Sequence, residues 1–502
     1  MCDAPSFSLE TIFLFVLPIF ILPGLTQNAR FVKFLLFTLF VFLYLLRCNK
    51  NACRVKITPI IIGLLIPLFL LSSHLGYSEA PYFFTILFTL ILFVSLYRFR
   101  LDKTETYLKL IVSASFFVGA IGILNYCGYS PFGFSLSGTY SHLSIISTIG
   151  NVNFVMDYLA STFLFVWLSF FKLKPFFWKV FSLITLYSSA QIFLWGHTRS
   201  VLLGMFFGCC LILFFFLTSA RVKALRTNYR KFLVTLLPLF LAFLFAVIPL
   251  NRVSSALDST VYRIRDAVSG ADKTGSVSGR MYMWGIAWEM FKDKPLLGHG
   301  FGSYKLLSTD YGKRIANEEG PFFGFFAKPY EAHNDYLQWL AEFGIVGFGL
   351  LLSVIVYIII WGLKGYRKKT YFEWCSFFGL SIILVHGIFE FPMYMMPSVA
   401  MFGFFSTVLT KDAKVLTINP KWRYVFLVIL IPILMIQTRL VISNGYYAAA
   451  LGKEQTNDIV FDALVDLDNS NRVAPANQSE ISEKIASIFS ETEAASLTVS
   501  IS

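Results

Sequence analysis

Charged side chains are scarce in this sequence. Only 14% of its 502 residues are Asp, Glu, Lys or Arg, whereas 56% are hydrophobic and 18% are aromatic. Soluble domains average about 25% charged residues, so this composition excludes a water-soluble globular protein. Apolar runs of roughly 16 to 25 residues recur along the chain, and this is the length that a helix needs to cross a bilayer. The sequence therefore predicts an all-α, polytopic membrane protein.

Cysteine is sparse as well, with seven residues in the whole chain. The number is odd and most of them lie in apolar or basic segments, which argues against a disulfide framework. Cys48 and Cys53 have neither a second cysteine pair nor a histidine cluster, which argues against a zinc site. We therefore expect no metal.

The basic residues are unevenly distributed. The formal net charge is +13, but Lys and Arg are concentrated in short loops between apolar runs, and the segments 72–81 and 125–153 contain neither. This alternation is the positive-inside pattern, in which the basic loops face the cytoplasm. It assigns the positive charge to membrane topology and argues against nucleic-acid binding.

The apolar runs predict about thirteen spans, although twelve remains possible if two of the shorter ones are re-entrant. The predicted spans are 8–25, 31–46, 57–75, 82–97, 107–124, 154–171, 180–196, 200–219, 232–250, 336–361, 374–390, 395–410 and 424–443. They divide the chain into N-terminal transmembrane helices (1–250), a large outer loop (251–335), C-terminal transmembrane helices (336–443) and an acidic outer tail (444–502).

Two arginines lie where this topology places the outer face. Arg199 lies between two spans, where it either snorkels to lipid headgroups or faces a cavity as an anion clamp. Arg280 follows a predicted N-cap at Ser278, so its charge adds to the exposed amides of a helix N-terminus, which suits phosphate oxygens. An ordinary surface arginine is the alternative at position 280.

The segment around Arg280 predicts a helix on or near the membrane surface, because Met281, Trp284, Trp288 and Phe291 fall on one helical face. The glycine-rich stretch 295–304 follows it. No strand precedes this stretch and no Gly-Lys-Ser/Thr follows, which excludes a nucleotide phosphate loop. We expect a flexible turn whose backbone approaches a ligand.

His333 precedes a long apolar helix that starts near Tyr336. An imidazole at this boundary with water can accept a proton from a polar substrate group, and a structural histidine is the alternative. Gly344, Gly347 and Gly349 follow, and we expect them to let another helix or a lipid tail pack closely.

His386 and Glu390 lie one helical turn apart near the outer end of a predicted span. An acid–histidine pair inside a membrane is a candidate for function, and a pair that only stabilises the helix is equally compatible with the pattern.

Four sequence features together resemble the O-antigen ligase superfamily over residues 185–410. They are Arg199 after an apolar span, Gly279-Arg280, Pro-Leu-Leu-Gly-His-Gly at 295–300, and His333-Asn334 followed by Gly-Ile-Val-Gly at 344–347. That superfamily includes O-antigen ligases, O-antigen polymerases and the bacterial O-linking oligosaccharyltransferases.

The resemblance implies a bacterial inner-membrane glycosyltransferase with a GT-C-like fold and its active site facing the periplasm. Members transfer a glycan from undecaprenyl diphosphate to an acceptor. The resemblance implies that Arg199 and Arg280 bind the diphosphate and that His333 lies near the acceptor hydroxyl. It also implies an inverting, metal-independent transfer that needs no cofactor.

The acceptor is not encoded by the shared motif. Our first hypothesis is ligation to lipid A–core, the second is O-glycosylation of a protein, and the third is polymerisation of the glycan. A transporter of the same lipid-linked glycan is the alternative from another class. It predicts charges along a path through the bilayer, whereas the charges here are concentrated at the outer side.

Overall fold

The computed structural model describes most of the helical part of the chain. The described residues are 12–20, 29–47, 53–56, 89–90, 93–94, 97, 99–132, 136, 138–196, 198–218, 276–316, 328–413, 415–418 and 421–455. The predicted spans at 57–75 and 232–250, and most of the predicted span at 82–97, lie outside them. The count of twelve or thirteen spans and the four domain limits stay predictions.

The described residues are overwhelmingly helical, so the all-α prediction is confirmed. A π-helical turn, Ile12–Val16, continues into a short helix at Leu17–Ile19. The longer helices are α1 (Ala29–Arg47), α2 (Thr104–Tyr126), α3 (Val152–Lys172), α4 (Phe176–Gly196), α5 (Arg199–Thr218), α6 (Ser276–Asp293), α7 (Ser303–Ile315), α8 (Asp335–Leu363), α9 (Tyr371–His386), α10 (Met396–Leu409) and α11 (Trp422–Gln455).

Several of these helices are long and apolar enough to cross a membrane. By length and composition they are the segment Leu101–Tyr126, which contains α2, together with α3, α4 and α8. Shorter apolar helices lie within α1, α5 and α11, and comprise α9 and α10. The protein is therefore a multi-pass membrane protein, as its composition predicts.

One small sheet was not predicted. Strand β1 (Cys53–Lys56) pairs antiparallel with strand β2 (Val415–Ile418), and Cys53 lies opposite Ile418. Strand β2 carries the β-branched residues that favour an extended backbone. The paired residues Lys56 and Val415 are 359 positions apart in the sequence (415 minus 56). A pairing over such a distance leaves no local sequence signal.

Helix α9 lies at the centre of the bundle, where it packs against α3, α5 and α10. Helix α3 packs in addition against α2 and α4. Its residues are apolar almost all round, and a helix of that kind is buried on every side. The buried side chains of these helices form one continuous core.

The two ends of the bundle differ in charge. Lys369 and Lys411 contact Glu373 at 3.0 and 3.2 Å, where α9 begins and α10 ends. Lys172, the last residue of α3, lies over the ring of Tyr371. At the opposite end α3, α5, α8 and α10 begin and α9 ends. We call this second end the outer end.

A small cap covers the outer end. Helices α6 and α7 pack on each other and against α8. Tyr282, Ile286 and Met290 of α6 form a second core with Tyr304 and Tyr311 of α7, separate from the core of the bundle. The cap is thereby held on the first turns of α8, where the candidate site lies.

Candidate functional site

Glu390 lies in the turn that follows α9, and its side chain is only 1% exposed. Its Oε1 lies 2.5 Å from Nη2 of Arg280 in α6. Its Oε2 lies 2.8 Å from Nδ1 of His333, just before α8. The side chains of Arg280 and His333 are 31% and 33% exposed. One buried carboxylate thus brings together a guanidinium from the cap and an imidazole from the bundle, and both remain open to solvent.

Asn153 completes the hydrogen bonds of this carboxylate. Its Nδ2 donates to Oε1 of Glu390 at 2.9 Å. Its Oδ1 accepts a hydrogen bond of 2.9 Å from the hydroxyl of Thr198, which lies immediately before α5. We call Asn153, Arg280, His333 and Glu390 the Glu390 cluster. It joins residues from α3, α6, the segment just before α8 and the turn after α9 at the outer end.

The neighbours of Glu390 favour its ionised form. Burial raises the pKa of Glu390, but the hydrogen bond from His333 and the electrostatic attraction to His333 and Arg280 outweigh burial and lower the pKa below its ordinary value. A carboxylate ion accepts hydrogen bonds and donates none. Nδ1 of His333 therefore carries the proton that it shares with Glu390. In the neutral ring, the lone pair of Nε2 is then available to accept a proton from a hydroxyl group.

The backbone of His333 is held in an unusual conformation. Its φ angle is +50°, in the left-handed region that non-glycine residues adopt only at a cost. The indole of Trp284 donates to its carbonyl oxygen at 3.3 Å, and the ring of Phe391 meets its imidazole edge-on at 5.0 Å. Asn334 then caps α8 by accepting a hydrogen bond from the backbone of Leu337. Capping and ring packing thus set the direction of the imidazole.

Asp335 joins the start of α8 to the turn that carries Glu390. Its backbone N–H donates to the carbonyl oxygen of Gly387 at 2.9 Å. Its buried side chain accepts a hydrogen bond of 3.1 Å from the backbone of Met393. These two bonds fix His333 and Glu390 relative to each other at the level of the backbone.

The structure corrects the predicted setting of Arg280. We expected Arg280 in the first turn of a helix capped by Ser278, but α6 begins at Ser276 and Arg280 is its fifth residue. Arg280 therefore lies about one turn further into the helix than predicted, beyond the free amides of the first turn. The partner of the guanidinium in this structure is the carboxylate of Glu390, a contact that no local pattern predicts.

The face of α6 that packs in the cap also differs from the predicted apolar face. The apolar residues that α6 buries in the cap are Tyr282, Ile286, Ala287 and Met290. The predicted apolar face lies outside this packed side, and Trp288 within it is 47% exposed. A face of this kind suits the membrane surface, and its contact with lipid stays a prediction.

Arg199 is the first residue of α5, and its side chain is exposed. The residue on each side of it is tied to the outer end. Thr198 donates to Asn153 of the Glu390 cluster, and Ser200 lies 2.9 Å from Nδ1 of His386. These bonds place the backbone of Arg199 at the edge of the cluster, two hydrogen bonds away from Glu390.

His386 and Glu390 do not form the side-chain pair that their spacing predicts. Helix α9 ends at His386, and the following turn carries the carboxylate of Glu390 to Arg280 and His333. His386 is fully buried and its ring pairs with Ser200. A spacing of four residues brings side chains together only in a continuous helix, and here the helix has ended. His386 is thus a structural neighbour of the cluster.

The glycine-rich segment 295–300 lies against the backbone of α8. Helix α8 is interrupted at Gly344, whose φ angle is +62°. Across this break Ile345 donates to Pro295, and Gly300 donates to the carbonyl oxygen of Glu342 at 2.8 Å. A Cβ on Gly344 would lie only 2.4 Å from the carbonyl of Leu296. The predicted packing of a helix or lipid tail at Gly344 is therefore wrong.

Asn153 is the member of the cluster that sequence reasoning missed. The Asn-Val-Asn at 151–153 is a helix-start signal, because Asn151 caps α3 by accepting a hydrogen bond from the backbone of Asn153. That signal places Asn153 at the outer end but does not identify its partners. Among the described residues, no group of three or more His, Cys, Asp or Glu side chains is arranged to hold a metal ion.

These features define a multi-pass membrane protein with a cluster of a carboxylate, an imidazole and a guanidinium at one end of its bundle. A family model described as O-antigen ligase matches residues 183–352. Over this segment the chain is similar to the O-antigen ligase superfamily, which supports the resemblance that the motifs predict. The match contains Arg199, Arg280 and His333, whereas Asn153 and Glu390 lie outside it. No curated protein matches the chain.

Proposed function

We propose that this protein is a membrane glycosyltransferase that moves a glycan from undecaprenyl diphosphate to an acceptor hydroxyl at the periplasmic face. The observation that carries the proposal is the shared buried carboxylate of Glu390, with Arg280 on one oxygen and His333 on the other. This arrangement supplies a cation for a leaving diphosphate and a base for an attacking hydroxyl. Those are the two requirements of glycosyl transfer from a lipid diphosphate.

Arg280 is the group that neutralises the leaving diphosphate in this proposal. As the bond between the sugar carbon and the phosphate oxygen breaks, negative charge develops on that oxygen, and a preorganised cation stabilises it. Arg199 provides a second guanidinium from the edge of the cluster. A diphosphate has oxygens enough for both, and arginine suits them because its fork can form two parallel hydrogen bonds.

His333 is the group that accepts the proton of the acceptor hydroxyl. Nε2 of His333 takes this proton while the hydroxyl oxygen forms the new glycosidic bond on the face opposite to the diphosphate, so the configuration at the sugar carbon inverts. Undecaprenyl diphosphate leaves with the electrons of the broken bond. Glu390 accepts the hydrogen bond of Nδ1–H, which fixes the reactive tautomer and stabilises the imidazolium that forms. No step of this scheme requires a metal or a cofactor.

The positions of the basic loops support a periplasmic site in the inner membrane of a bacterium. The lysines around Glu373 and at the end of α3 lie at one end of the bundle, and the Glu390 cluster lies at the outer end. If the basic end faces the cytoplasm, the cluster faces the periplasm. The donor's apolar chain would then remain among membrane lipids while its diphosphate reaches the arginines.

For the acceptor we propose lipid A–core, which makes the protein an O-antigen ligase of lipopolysaccharide biosynthesis. The first test is a deletion of its gene in the native bacterium. Loss of capped lipopolysaccharide with accumulation of lipid-linked polymer is expected. Unmodified glycoprotein would instead identify a protein oligosaccharyltransferase, and single-repeat surface glycan would identify a polymerase.

The second test uses variants of the cluster in the deletion strain. Arg280→Ala and His333→Ala are expected to abolish transfer although the protein is inserted in normal amount. Full transfer by both variants would contradict the proposal. Accumulation of the lipid-linked glycan on the cytoplasmic side would indicate a transporter.

A further inference from the structure

Asn153 is fixed at both ends of its side-chain amide. The carboxylate of Glu390 can only accept, so the –NH2 group must face it, and the amide oxygen then faces the hydroxyl of Thr198. The backbone of Asn153 is held in turn by the cap from Asn151. No other rotation of the amide keeps both bonds.

The loop before Arg199 is seated on the same part of α3. The backbone N–H of Thr198 points at the sulfur of Met156 at 3.4 Å. Gly196 fits against Met156 only because it has no side chain, since a Cβ there would lie 2.4 Å from that sulfur. Gly196 and Thr198 are thus held by the first two turns of α3, and the Thr198–Asn153 hydrogen bond is the polar link to the Glu390 cluster.

We propose that Asn153 is a positioning residue that sets the place of Arg199 relative to Arg280 and His333. It joins the carboxylate that holds Arg280 and His333 to the residue that immediately precedes Arg199. The inference rests on the proposed function, because it assigns Arg199 and Arg280 to one diphosphate. Asn153 acts through these groups, and nothing in the family match covers it.

The positioning role of Asn153 requires an uncharged side chain. An aspartate there would place a second carboxylate within hydrogen-bond distance of Glu390, and the two would compete for Arg280 and His333. Asn153→Asp changes the shape least of all substitutions, so its effect separates charge from packing.

The experiment compares five variants with the wild-type protein in vesicles of bacterial phospholipid. They are Asn153→Ala, Asn153→Asp, Thr198→Val, Thr198→Ser and the double variant Asn153→Ala/Thr198→Val. The probes are undecaprenyl-diphosphate-linked O-antigen with lipid A–core. Losing a hydrogen bond that orients charged groups is expected to lower transfer roughly 10-fold to 100-fold in Asn153→Ala and Thr198→Val. Thr198→Ser, which keeps the hydroxyl, restores most of the transfer lost in Thr198→Val.

The double variant tests whether the two residues act as one unit. It is expected to transfer no less than the poorer single variant, because both changes break the same chain of hydrogen bonds. Asn153→Asp is expected to lose more than Asn153→Ala, and to regain part of its transfer as the pH is lowered and the carboxyl pair shares a proton. Ser161→Ala is the matched control, since it removes a buried hydroxyl of the same helix whose hydrogen bond goes to Tyr158 and does not reach Asn153 or Glu390.

A binding assay separates failure of this inference from failure of the proposed function. Inorganic pyrophosphate is added to the detergent-solubilised protein and its thermal unfolding is followed. The wild-type protein is expected to be stabilised, Asn153→Ala much less so, and Ser161→Ala as much as the wild type. If wild-type protein transfers no glycan with these probes, the proposed function fails, and the pyrophosphate result still decides the role of Asn153. Equal stabilisation of the wild type and Asn153→Ala, or no stabilisation of either, overturns the inference, as do additive losses in the double variant.

Discussion

The substitution Glu390→Gln is expected to inactivate the site while leaving its shape intact. Among the described residues, Oε1 of Glu390 faces two donors, Arg280 at 2.5 Å and Asn153 at 2.9 Å, and Oε2 faces only His333. A glutamine therefore keeps its oxygen toward the two donors and turns its –NH2 toward His333. Nδ1 of His333 must then accept a hydrogen bond, so the ring proton moves to Nε2. The nitrogen that takes the proton of the acceptor hydroxyl is thereby blocked.

The magnitude follows from the loss of the reactive tautomer. Where a carboxylate that orients a catalytic histidine is replaced by its amide, the rate falls by roughly 10⁴-fold, which corresponds to about 5 kcal/mol at the transition state. His333 is a third exposed, so water can replace part of the lost interaction. We therefore expect a fall of roughly 10³-fold to 10⁴-fold in the rate of transfer.

The assay compares initial rates of glycan transfer for the wild type, Glu390→Gln and Glu390→Asp in the same vesicles. The amount of inserted protein and its thermal unfolding serve as controls, because Glu390→Gln keeps the contacts of Oε1. Glu390→Asp retains the charge but shortens the reach, so an intermediate rate is expected. A Glu390→Gln rate above a tenth of the wild-type rate would refute the account of His333 as a base oriented by Glu390.

Three further predictions concern the pH dependence, the helix break and the topology. The pKa of Glu390 is lowered below its ordinary 4.5. The contacts of its carboxylate with Arg280 and His333 therefore contribute stability that is fully present above the ordinary pKa and is lost as the pH falls through the lowered pKa. Thermal unfolding between about pH 3 and pH 6 should show this loss in the wild type and not in Glu390→Gln, and identical curves would contradict it. Gly344→Ala is expected to lower the free energy of unfolding by about 1–3 kcal/mol, because the φ of Gly344 is positive and a Cβ there would meet the carbonyl of Leu296. Gly349→Ala is the near-neutral control, because a Cβ at Gly349 would meet no described atom within 4 Å. Equal melting temperatures of the two variants would contradict the close contact between Gly344 and the segment 295–300. A reporter fused after residue 300 should report the periplasm, and a cytoplasmic signal would overturn the assigned orientation.

Much of the fold and part of the site follow from local sequence. The apolar runs predict the helices because a bilayer demands long apolar segments. Arg199, Arg280 and His333 stand out because polar groups are costly where helices leave the membrane, and the basic loops predict that all three share one side. Each of these inferences needs only residue type and position along the chain.

The contacts that assemble the site could not be predicted in this way. Glu390 contacts Asn153 and Arg280, which are 237 and 110 residues away from it in the sequence. Such contacts depend on how the helices pack. The spacing of His386 and Glu390 suggests a helical pair, but Gly387, which directly follows the last residue of α9, is a helix-stop signal that argues against a continuous helix there. The sequence predicts Gly344 as a packing glycine. A glycine that lets a neighbouring helix pack closely and a glycine that breaks a helix against another segment look the same in a sequence.

Glycan transfer by the purified protein tests most directly whether His333 is the base of an inverting transfer. Wild-type protein is given undecaprenyl-diphosphate-linked O-antigen and lipid A–core, and the product is examined for the configuration of its new bond. A product of inverted configuration is expected from the wild type and none from His333→Ala, although the two proteins are equally folded. An unchanged rate in His333→Ala, or a product with retained configuration, would contradict it.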